Sequence, residues 1–198
     1  MKYSRRHDPQ DPDIVIFFAP PGPTTTEFAV NESPRLQGLP PQVTAQTRML
    51  VLGSFPSVAS LSRQQYYAHP QNAFWRLLQA LWPASPMPAA DAYPQRVAWM
   101  LDKGLGLWDV YASCERQGSL DSAIREPQVN DLAGLLARCP ELRLMAHNGG
   151  ESFRHARVTR ALGLPVYRLP STSPANASWS FERKVAAWRE VVTAAGLL

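Results

Sequence analysis

Acidic residues are absent from a long segment of the sequence. No Asp or Glu occurs in residues 33–90, whereas Arg35, Arg48, Arg63 and Arg76 all lie there. A segment with this charge would not repel phosphate groups. The net charge of the whole chain is +4 and its sequence pI is about 9.3. These values permit a polyanionic partner, although many basic proteins have none.

Cysteine is scarce, and so are the motifs of nucleotide and metal binding. The two cysteines, Cys114 and Cys139, are too few for a four-cysteine cluster, and neither belongs to a CxxC motif. We expect both to be reduced and buried. The sequence has no GxGxxG and no GxxxxGK[ST] motif, so nucleoside-triphosphate chemistry has no support.

No apolar segment is long enough to cross a membrane. A transmembrane helix needs roughly 18 or more consecutive apolar residues, and no run in this chain reaches that length. The first residues, MKYSRRHDPQDPD, lack the apolar stretch of a secretory signal. A cytoplasmic protein with no membrane partner is therefore expected.

The length of 198 residues fits one domain with a short additional segment. Residues 1–38 contain proline throughout and show no sustained periodicity, so we predict a poorly ordered lead-in there and a folded domain over residues 39–198. Within the lead-in, DIVIFF is apolar and β-branched enough to add an edge strand. Complete disorder of residues 1–38 is therefore not predicted.

Beyond residue 48, candidate strands alternate with candidate helices. The short apolar run at RMLVLG predicts a buried strand, and LGLWDV, LRLMAHN and PVYRLP are three further candidate strands. Apolar residues recur every three or four positions in AFWRLLQALW, YPQRVAWMLDKG, NDLAGLLARC, GESFRHARVTRALG and SFERKVAAWREVVTAAG, which is typical of helices. The alternation predicts an α/β protein, a three-layer α/β/α sandwich with a central four-stranded parallel sheet.

A polar stretch follows each predicted strand. These stretches are GSFPS, YASCERQGS, HNGGES and PSTSPANAS, in chain order. Ligands of open parallel sheets bind beyond the carboxyl ends of the strands. We therefore expect the four stretches to meet at one edge of the sheet.

GSFPS combines features of a ligand-binding turn. Gly53 permits close backbone approach, Pro56 fixes the turn, and Ser54 and Ser57 place hydroxyls beside free amides. An ordinary turn at a strand exit would have the same composition. This motif alone does not decide between the two interpretations.

YYAHPQNAFW is more specific. Asn72 stands where its carboxamide would cap a helix that places Phe74 in the core. Capping leaves Tyr66, Tyr67 and His69 unexplained. A planar ring can stack on a base, and an asparagine both donates and accepts hydrogen bonds. The stretch therefore also fits a nucleobase pocket.

Two further stretches carry weaker signals. After LGLWD, which ends at Asp109, the favoured interpretation is structural: Ser119 and Asp121 cap the following segment, and Arg116 pairs with a carboxylate. Asn148, in HNGG, precedes a predicted helix N-terminus, where amides can receive an anion or a carbonyl oxygen.

LPSTSPANAS leaves the fourth predicted strand with small polar residues. The candidates for DNA contact are Ser173, Pro174, Ala175 and Asn176, after Ser171. Hydroxyls and exposed amides suit a grip on the DNA backbone. The same residue types are also the commonest in ordinary loops.

Taken together, LGSFPSVASL, YYAHPQNAFW, LWDVYASCERQGSLDSAI and LPSTSPA resemble the uracil-DNA glycosylase superfamily, and most closely its hypoxanthine-DNA glycosylases. The resemblance runs from about Leu39 to the C-terminus and implies the α/β/α sandwich described above. It also implies hydrolysis of the N-glycosidic bond of deoxyinosine in damaged DNA, with release of hypoxanthine. No metal or cofactor is implied.

The resemblance assigns roles residue by residue. Asn72 is implied to be the catalytic residue that positions water, and Tyr67 to stack on the flipped base. Phe55 stands where the mismatch-specific uracil glycosylases have their catalytic asparagine, Ser171 where other branches have histidine or asparagine, and Ala175 where a bulkier wedge residue is usual. Further expected base contacts are Gly53, Ser54, Phe55, Pro56, His69, Asn148 and Ser171. Expected DNA contacts are Ser57, Arg63, Ser173, Pro174, Ala175 and Asn176.

Two alternatives stay open: a uracil-DNA glycosylase acting on G·U mismatches, and an inactive nucleic-acid-binding module of the same fold. The three lysines, Lys2, Lys103 and Lys184, lie outside the motifs, so a monofunctional enzyme without a Schiff-base step is expected.

The first motif contains no acidic residue, so only folding could bring the carboxyl of Asp109 or Asp121 close to it. A monomer that associates with the nucleoid when it acts on DNA is expected.

Overall fold

The structure, a computed structural model, describes residues 5–7, 15–17 and 35–198. The chain divides into two units, residues 1–32 and 33–198. In the first unit, β1 (Arg5–His7) pairs antiparallel with β2 (Val15–Phe17). The three residues of β2 belong to DIVIFF. The rest of DIVIFF, and with it most of the predicted lead-in, lies outside the described residues.

The second unit contains the remaining elements. In chain order they are β3 (Arg35–Gln37), β4 (Met49–Gly53), α1 (Val58–Arg63), α2 (Phe74–Leu81), α3 (Tyr93–Asp102), β5 (Leu105–Asp109), β6 (Tyr111–Glu115), a 3₁₀ turn (Asp121–Ala123), β7 (Arg125–Val129), α4 (Leu132–Leu136), β8 (Leu144–Asn148), α5 (Gly150–Phe153), α6 (Ala156–Arg160), β9 (Val166–Leu169) and α7 (Phe181–Ala194).

The central sheet has four parallel strands in the order β5-β4-β8-β9. Every residue of β4 and of β8 is buried, because helices or other strands cover both faces of the sheet. The predicted four-stranded parallel sheet is confirmed, strand by strand.

Two apolar clusters cover the two faces of this sheet. Side chains alternate along a strand, so Met49 and Val51 of β4 pack with residues of α2, α3 and α7, whereas Leu50 and Leu52 pack with residues of α4 and β6. This arrangement is the predicted α/β/α sandwich. Both cysteines are buried and free, as expected from the sequence.

A second sheet, of three antiparallel strands in the order β3-β6-β7, was not predicted. The sequence interpretation treated residues after Val110 as a loop. All five residues of β7 are exposed and β3 has three residues, so neither has an apolar pattern that marks a strand. The boundary proposed after residue 38 stays a prediction; β3 lies before it and pairs with β6.

The single helix predicted over GESFRHARVTRALG is wrong, because the structure has two short helices there, α5 and α6. Side-chain bonds fix the segment between and around them. Ser152 donates a hydrogen bond from Oγ to Leu52 O (2.8 Å), and His155 Nε2 lies 2.9 Å from the hydroxyl of Tyr111. No helix in the described part of the chain is long and apolar enough to cross a membrane.

Candidate functional site

A cavity of about 790 Å³ opens at the carboxyl edge of the central sheet. The last residues of all four strands line it: Gly53, Asp109, Asn148 and Leu169. Ligands of parallel α/β sheets bind at this edge. The polar stretches that follow the four strands converge there.

Most residues predicted to contact the base or the DNA lie in the cavity wall. They are Gly53, Ser54, Phe55, Pro56, Ser57, Tyr67, Asn72, Asn148, Ser171, Ser173, Ala175 and Asn176. His69, Arg63 and Pro174 do not line it. His69 Nδ1 accepts a hydrogen bond from Gln71 N (3.2 Å), and Arg63 donates to Ala68 O (3.3 Å). Those two side chains therefore stabilise the loop before α2, and their predicted contacts stay predictions.

Asn72 combines a structural contact with access to the cavity. The N-cap of α2 is Ala73 and not Asn72, so the predicted capping position is wrong by one residue. Asn72 Oδ1 instead accepts a hydrogen bond from Phe74 N (3.0 Å), two residues on, and so fixes the turn that leads into α2. A carboxamide oxygen has a second lone pair, and the amide nitrogen is a further donor. The side chain can therefore keep its hydrogen bond to Phe74 N and bind a ligand at the same time.

Tyr67 is held in one orientation against the cavity wall. Its backbone φ is 55°, in the left-handed region that bulky residues rarely adopt. One face of the ring stacks on Phe74, with centroids 4.0 Å apart and planes inclined by 19°. The hydroxyl accepts a hydrogen bond from Asn148 Nδ2 (3.0 Å). Burial raises the pKa of Tyr67, so the hydroxyl stays protonated.

Asn148 uses its amide to connect three segments. Its Nδ2 donates to the Tyr67 hydroxyl (3.0 Å) and to Thr172 Oγ1 (2.9 Å), and its Oδ1 accepts from Thr172 N (3.0 Å). Thr172 O in turn accepts from Ala73 N (2.9 Å). Both amide protons of Asn148 are thus engaged within the protein. The structure gives this residue a positioning role, and its predicted contact with the base stays a prediction.

Asp109 is a buried acidic residue of the cavity. It is 4% exposed, and its Oδ2 has no hydrogen-bond partner. Burial raises the pKa of Asp109 to about 7; the nearby Tyr66 hydroxyl and the Arg116 charge oppose the rise, and the Asp121 charge adds to it. Gly53 is the register partner of Asp109, and a Cβ on Gly53 would collide with Asp109 Oδ1. The absence of a side chain at position 53 therefore leaves space for this carboxyl.

A second carboxyl reaches the cavity from the turn after β6. Oδ1 of Asp121 accepts a hydrogen bond from Ser54 Oγ (2.6 Å), and Ser119 Oγ accepts one from Val58 N (3.0 Å). Burial raises the pKa of Asp121, and the hydrogen bond from Ser54 lowers it. Folding thus supplies the acid-free first motif with two carboxyl groups, from Asp109 and Asp121.

Arg116 stabilises the first motif without an ion pair. The sequence interpretation paired it with a carboxylate, but no salt bridge of Arg116 occurs in the described residues. Its Nη2 donates to Pro56 O, and its Cζ lies 5.0 Å from the ring centroid of Phe55. Phe55 is buried in the apolar cluster that includes Leu52 and Val110, and it also lines the cavity. The guanidinium therefore stabilises the turn through its contacts with Pro56 and Phe55.

The loop between β9 and α7 forms another wall of the cavity. Ser171 Oγ accepts from Ser173 N (3.2 Å), Asn176 Nδ2 donates to Ser171 O (3.1 Å), and the buried Lys184 donates to Asn176 O (3.0 Å). These local bonds hold the loop in place and leave exposed Ala175 on the cavity side.

Several lining residues were not singled out from the sequence, among them Leu120, Trp179 and Arg168. Leu120 and Trp179 are exposed although they are large and apolar. They lie in irregular segments, where no periodic pattern marks an apolar residue as functional. No group of His, Cys, Asp and Glu side chains in residues 35–198 could hold a metal ion.

Comparison with known proteins identifies the family to which most of the second unit is similar. A family model described as the uracil DNA glycosylase superfamily matches residues 40–192. A hypoxanthine DNA glycosylase from Methanosarcina acetivorans is 37% identical over 149 residues, which cover 75% of this chain and 92% of that protein. One from Methanosarcina barkeri is 34% identical over 154 residues, which cover 78% and 96%.

A solved structure agrees with these sequence relatives. The solution NMR structure of a candidate uracil DNA glycosylase from Methanosarcina acetivorans matches with a TM-score of 0.72 at 34% identity. The match covers 82% of this chain and 99% of that chain.

Proposed function

The chain belongs to the uracil-DNA glycosylase superfamily, and on that premise we propose that it is a monofunctional DNA glycosylase that excises hypoxanthine from deoxyinosine in DNA. The curated relatives that share about a third of its sequence are named hypoxanthine DNA glycosylases. Deoxyinosine arises when adenine in DNA loses its amino group. The product is an abasic site for later repair.

The observation that carries this proposal is the position of Tyr67 and Asn72 in one cavity at the carboxyl edge of the sheet. A base inside a duplex is out of reach, so the enzyme must flip the nucleotide into a pocket. The cavity, at about 790 Å³, lies within the usual range of ligand pockets. Tyr67, stacked on Phe74 and bonded to Asn148, is a rigid surface on which the base can stack.

The reaction is hydrolysis of the bond between C1′ of the sugar and N9 of the base. As this bond lengthens, the sugar becomes cation-like and the base takes up the bonding electrons. A water molecule adds its oxygen to C1′, and its protons are shared between the new C1′ hydroxyl and the departing base or solvent. Asn72 positions that water through its carboxamide. Backbone amides of the turn at residues 53–57 face the negative charge on the base.

Phe55 contributes an apolar wall, in place of the asparagine that mismatch-specific uracil glycosylases have in this motif. An aromatic ring cannot orient water, which supports Asn72 as the catalytic residue. Phe55 is buried and held between the apolar cluster and Arg116. A flat wall of this kind favours the larger ring system of a purine.

The lining residues also support hydrolysis without a lyase step. No lysine is among the lining residues in the described part of the chain, and Lys184 is buried with its amine bonded to Asn176 O. A Schiff base with the sugar needs a free amine at C1′. The DNA strand is therefore expected to stay intact after the base is released.

DNA binds across the cavity opening, with the loop between β9 and α7 on one side. Amides and hydroxyls of Ser57 and Ser173 suit contacts to phosphate. Ala175 is too small to fill the gap that a flipped base leaves. Leu120 and Trp179 are exposed apolar residues of the cavity wall and are of the type that inserts between base steps. We expect a monomer that acts on cytoplasmic, nucleoid-associated DNA.

The test is a single-turnover excision assay on matched duplexes that carry one deoxyinosine, deoxyuridine or deoxyxanthosine. The proposal predicts the highest rate on deoxyinosine. A highest rate on uracil opposite guanine would make the protein a uracil glycosylase. Tight DNA binding without release of any base would make it a binding module.

A further inference from the structure

Asp109 Oδ2 is the one cavity-lining side-chain atom in the described residues that is fully buried without a hydrogen-bond partner. The neighbouring polar groups are engaged: Asn148 donates both amide protons, and Asp121 Oδ1 is bound by Ser54. An unpaired buried polar atom costs free energy. Such an atom requires a partner that the surrounding protein does not supply, and in the wall of a ligand cavity a bound ligand can supply it.

The location of Asp109 suits contact with the ring edge of a base. The residue ends β5 and is almost fully buried, while Asn72 is partly exposed. A Cβ built on Gly53 would contact both Asp109 and, at 3.8 Å, the hydroxyl of Tyr67, so the carboxyl of Asp109 and the hydroxyl end of Tyr67 lie on either side of the same point. The sugar of a flipped nucleotide stays attached to the strand outside. A base on Tyr67 therefore directs its far edge inward, toward Asp109.

Burial favours the neutral form of Asp109 below about pH 7, and of its neighbours the Asp121 charge adds to this effect, whereas the Tyr66 hydroxyl and the Arg116 charge oppose it. Burial is the largest influence and raises the pKa of Asp109 to about 7. The charged and titratable groups that face it are the hydroxyls of Tyr66 and Tyr67, the carboxyl of Asp121 and the guanidinium of Arg116. No salt bridge between Asp109 and a basic group exists in the described residues.

We propose that Asp109 is a base-recognition residue that binds, as a neutral carboxylic acid, the lactam edge of the flipped base. Its O–H donates to O6 of hypoxanthine, and its other oxygen accepts from N1–H. The same pair of contacts fits any base with an N–H beside a carbonyl, including uracil and xanthine. The inference rests on the proposed function and adds the group that recognises the substrate. The hydrogen bond to O6 strengthens as the departing base gains negative charge.

The decisive comparison uses two isosteres of the aspartic acid side chain. In Asp109→Asn, the amide donates to O6 and accepts from N1–H, as the neutral acid does, but it does not titrate. In Asp109→Leu, both contacts are lost. The measurement is single-turnover excision of hypoxanthine from pH 5.5 to 8.5 by wild type and both variants, with folding checked by thermal melting.

The sign of the pH effect follows from the raised pKa. The neutral acid prevails below about pH 7 and is lost as the pH rises through that value. The wild-type rate, divided by the Asp109→Asn rate, should fall about tenfold per pH unit above the pKa. Other titrating groups affect both proteins and cancel in the ratio. At pH 6 Asp109→Asn should restore most of the activity that Asp109→Leu loses, a loss of roughly 10²–10³.

Two results would overturn the inference. The first is a folded Asp109→Asn protein that is as inactive as Asp109→Leu, because the reaction would then require an ionised carboxylate. The second is a ratio of wild-type rate to Asp109→Asn rate that does not change with pH. Neither result affects the proposed function if the wild type still excises hypoxanthine.

If the wild type excises no base, the role of Asp109 is tested by binding instead. The measurement is the affinity of wild type and Asp109→Asn for a duplex with non-cleavable 2′-fluoro-deoxyinosine, as a function of pH. If binding weakens above pH 7 in the wild type but not in Asp109→Asn, the recognition role of Asp109 is supported although the proposed catalytic function fails. Parallel pH dependence of binding in both proteins contradicts the role.

Discussion

Gly53 and Asp109 are register partners at the carboxyl ends of β4 and β5, and the carboxyl of Asp109 occupies the space where a side chain on Gly53 would lie. The two residues come from separate motifs, but a side chain at position 53 would collide with the carboxyl of Asp109 in its observed position. The turn that begins at Gly53 and the buried acid at Asp109 therefore form one unit of the cavity.

The first prediction follows from this pairing. Gly53→Ala should displace the Asp109 carboxyl and slow hypoxanthine excision by at least tenfold, which corresponds to about 1.4 kcal/mol. The control is the same change in an Asp109→Gly background, where no carboxyl is displaced. A double-mutant cycle on excision rate and melting temperature should show strong coupling. Additive effects would mean that the two residues do not share this space.

Asn72 provides the second prediction. Asn72→Ala should slow excision by roughly 10²–10³, because a positioned polar group is lost, and should lower stability by about 1 kcal/mol, because the hydrogen bond to Phe74 N is lost.

Asn72→Ser separates these two effects, since a serine hydroxyl can also accept a hydrogen bond from the backbone N–H two residues on but is too short to position the same water. It should melt close to the wild type and still excise slowly. Full activity in a stable Asn72→Ser protein would leave Asn72 only the structural hydrogen bond to Phe74 N.

Tyr67 provides the third prediction. Tyr67→Ala should weaken binding of the flipped base by about 1–3 kcal/mol, the range for base stacking on aromatic side chains. Tyr67→Phe keeps the ring on Phe74 and should bind the base almost as well. It loses the hydrogen bond with Asn148, which should lower the unfolding free energy by about 1 kcal/mol. Equal losses of base binding in both variants would assign the contact to the hydroxyl and refute stacking.

Two truncations make the fourth prediction. Deletion of residues 1–32 removes the first unit and should leave excision and the melting temperature largely intact, because the second unit contains both apolar clusters and the cavity. Deletion of residues 1–38 also removes β3 and the hydrogen bond from Gly38 N to Ala112 O (2.7 Å), so the edge of β6 is exposed. That variant should melt at a lower temperature. Equal melting temperatures would show that β3 contributes nothing.

The sequence was sufficient for the central sheet and insufficient for the second one. β4, β5 and β8 have apolar runs because their side chains are largely buried by layers on both faces. β9, at the edge of the sheet, is mostly exposed and was identified from its short run between prolines. β7 is exposed along its whole length, so its sequence, REPQV, lacks the apolar pattern of a strand and was interpreted as a loop. Its pairing with β6 depends on contacts that no local pattern records.

The same limit applies to the cavity. Tyr67 and Asn72 belong to one continuous motif, so their polar side chains were identified directly. Asp109 ends an apolar run, and its burial beside Gly53 results from the register of two strands that lie more than fifty residues apart in the chain. Leu120 and Trp179 reach the cavity only through the path of irregular loops.

Identification of the released base is the most direct test of the central claim. The measurement is mass spectrometry of the products from a duplex with one deoxyinosine, incubated with wild type or with Asn72→Ala, followed by analysis of the strand before and after alkali. The account predicts free hypoxanthine and an abasic strand that breaks only after alkali with the wild type, and at least a hundredfold less hypoxanthine with the variant in the initial phase. Absence of hypoxanthine with the folded wild type, or a strand broken before alkali, would contradict it.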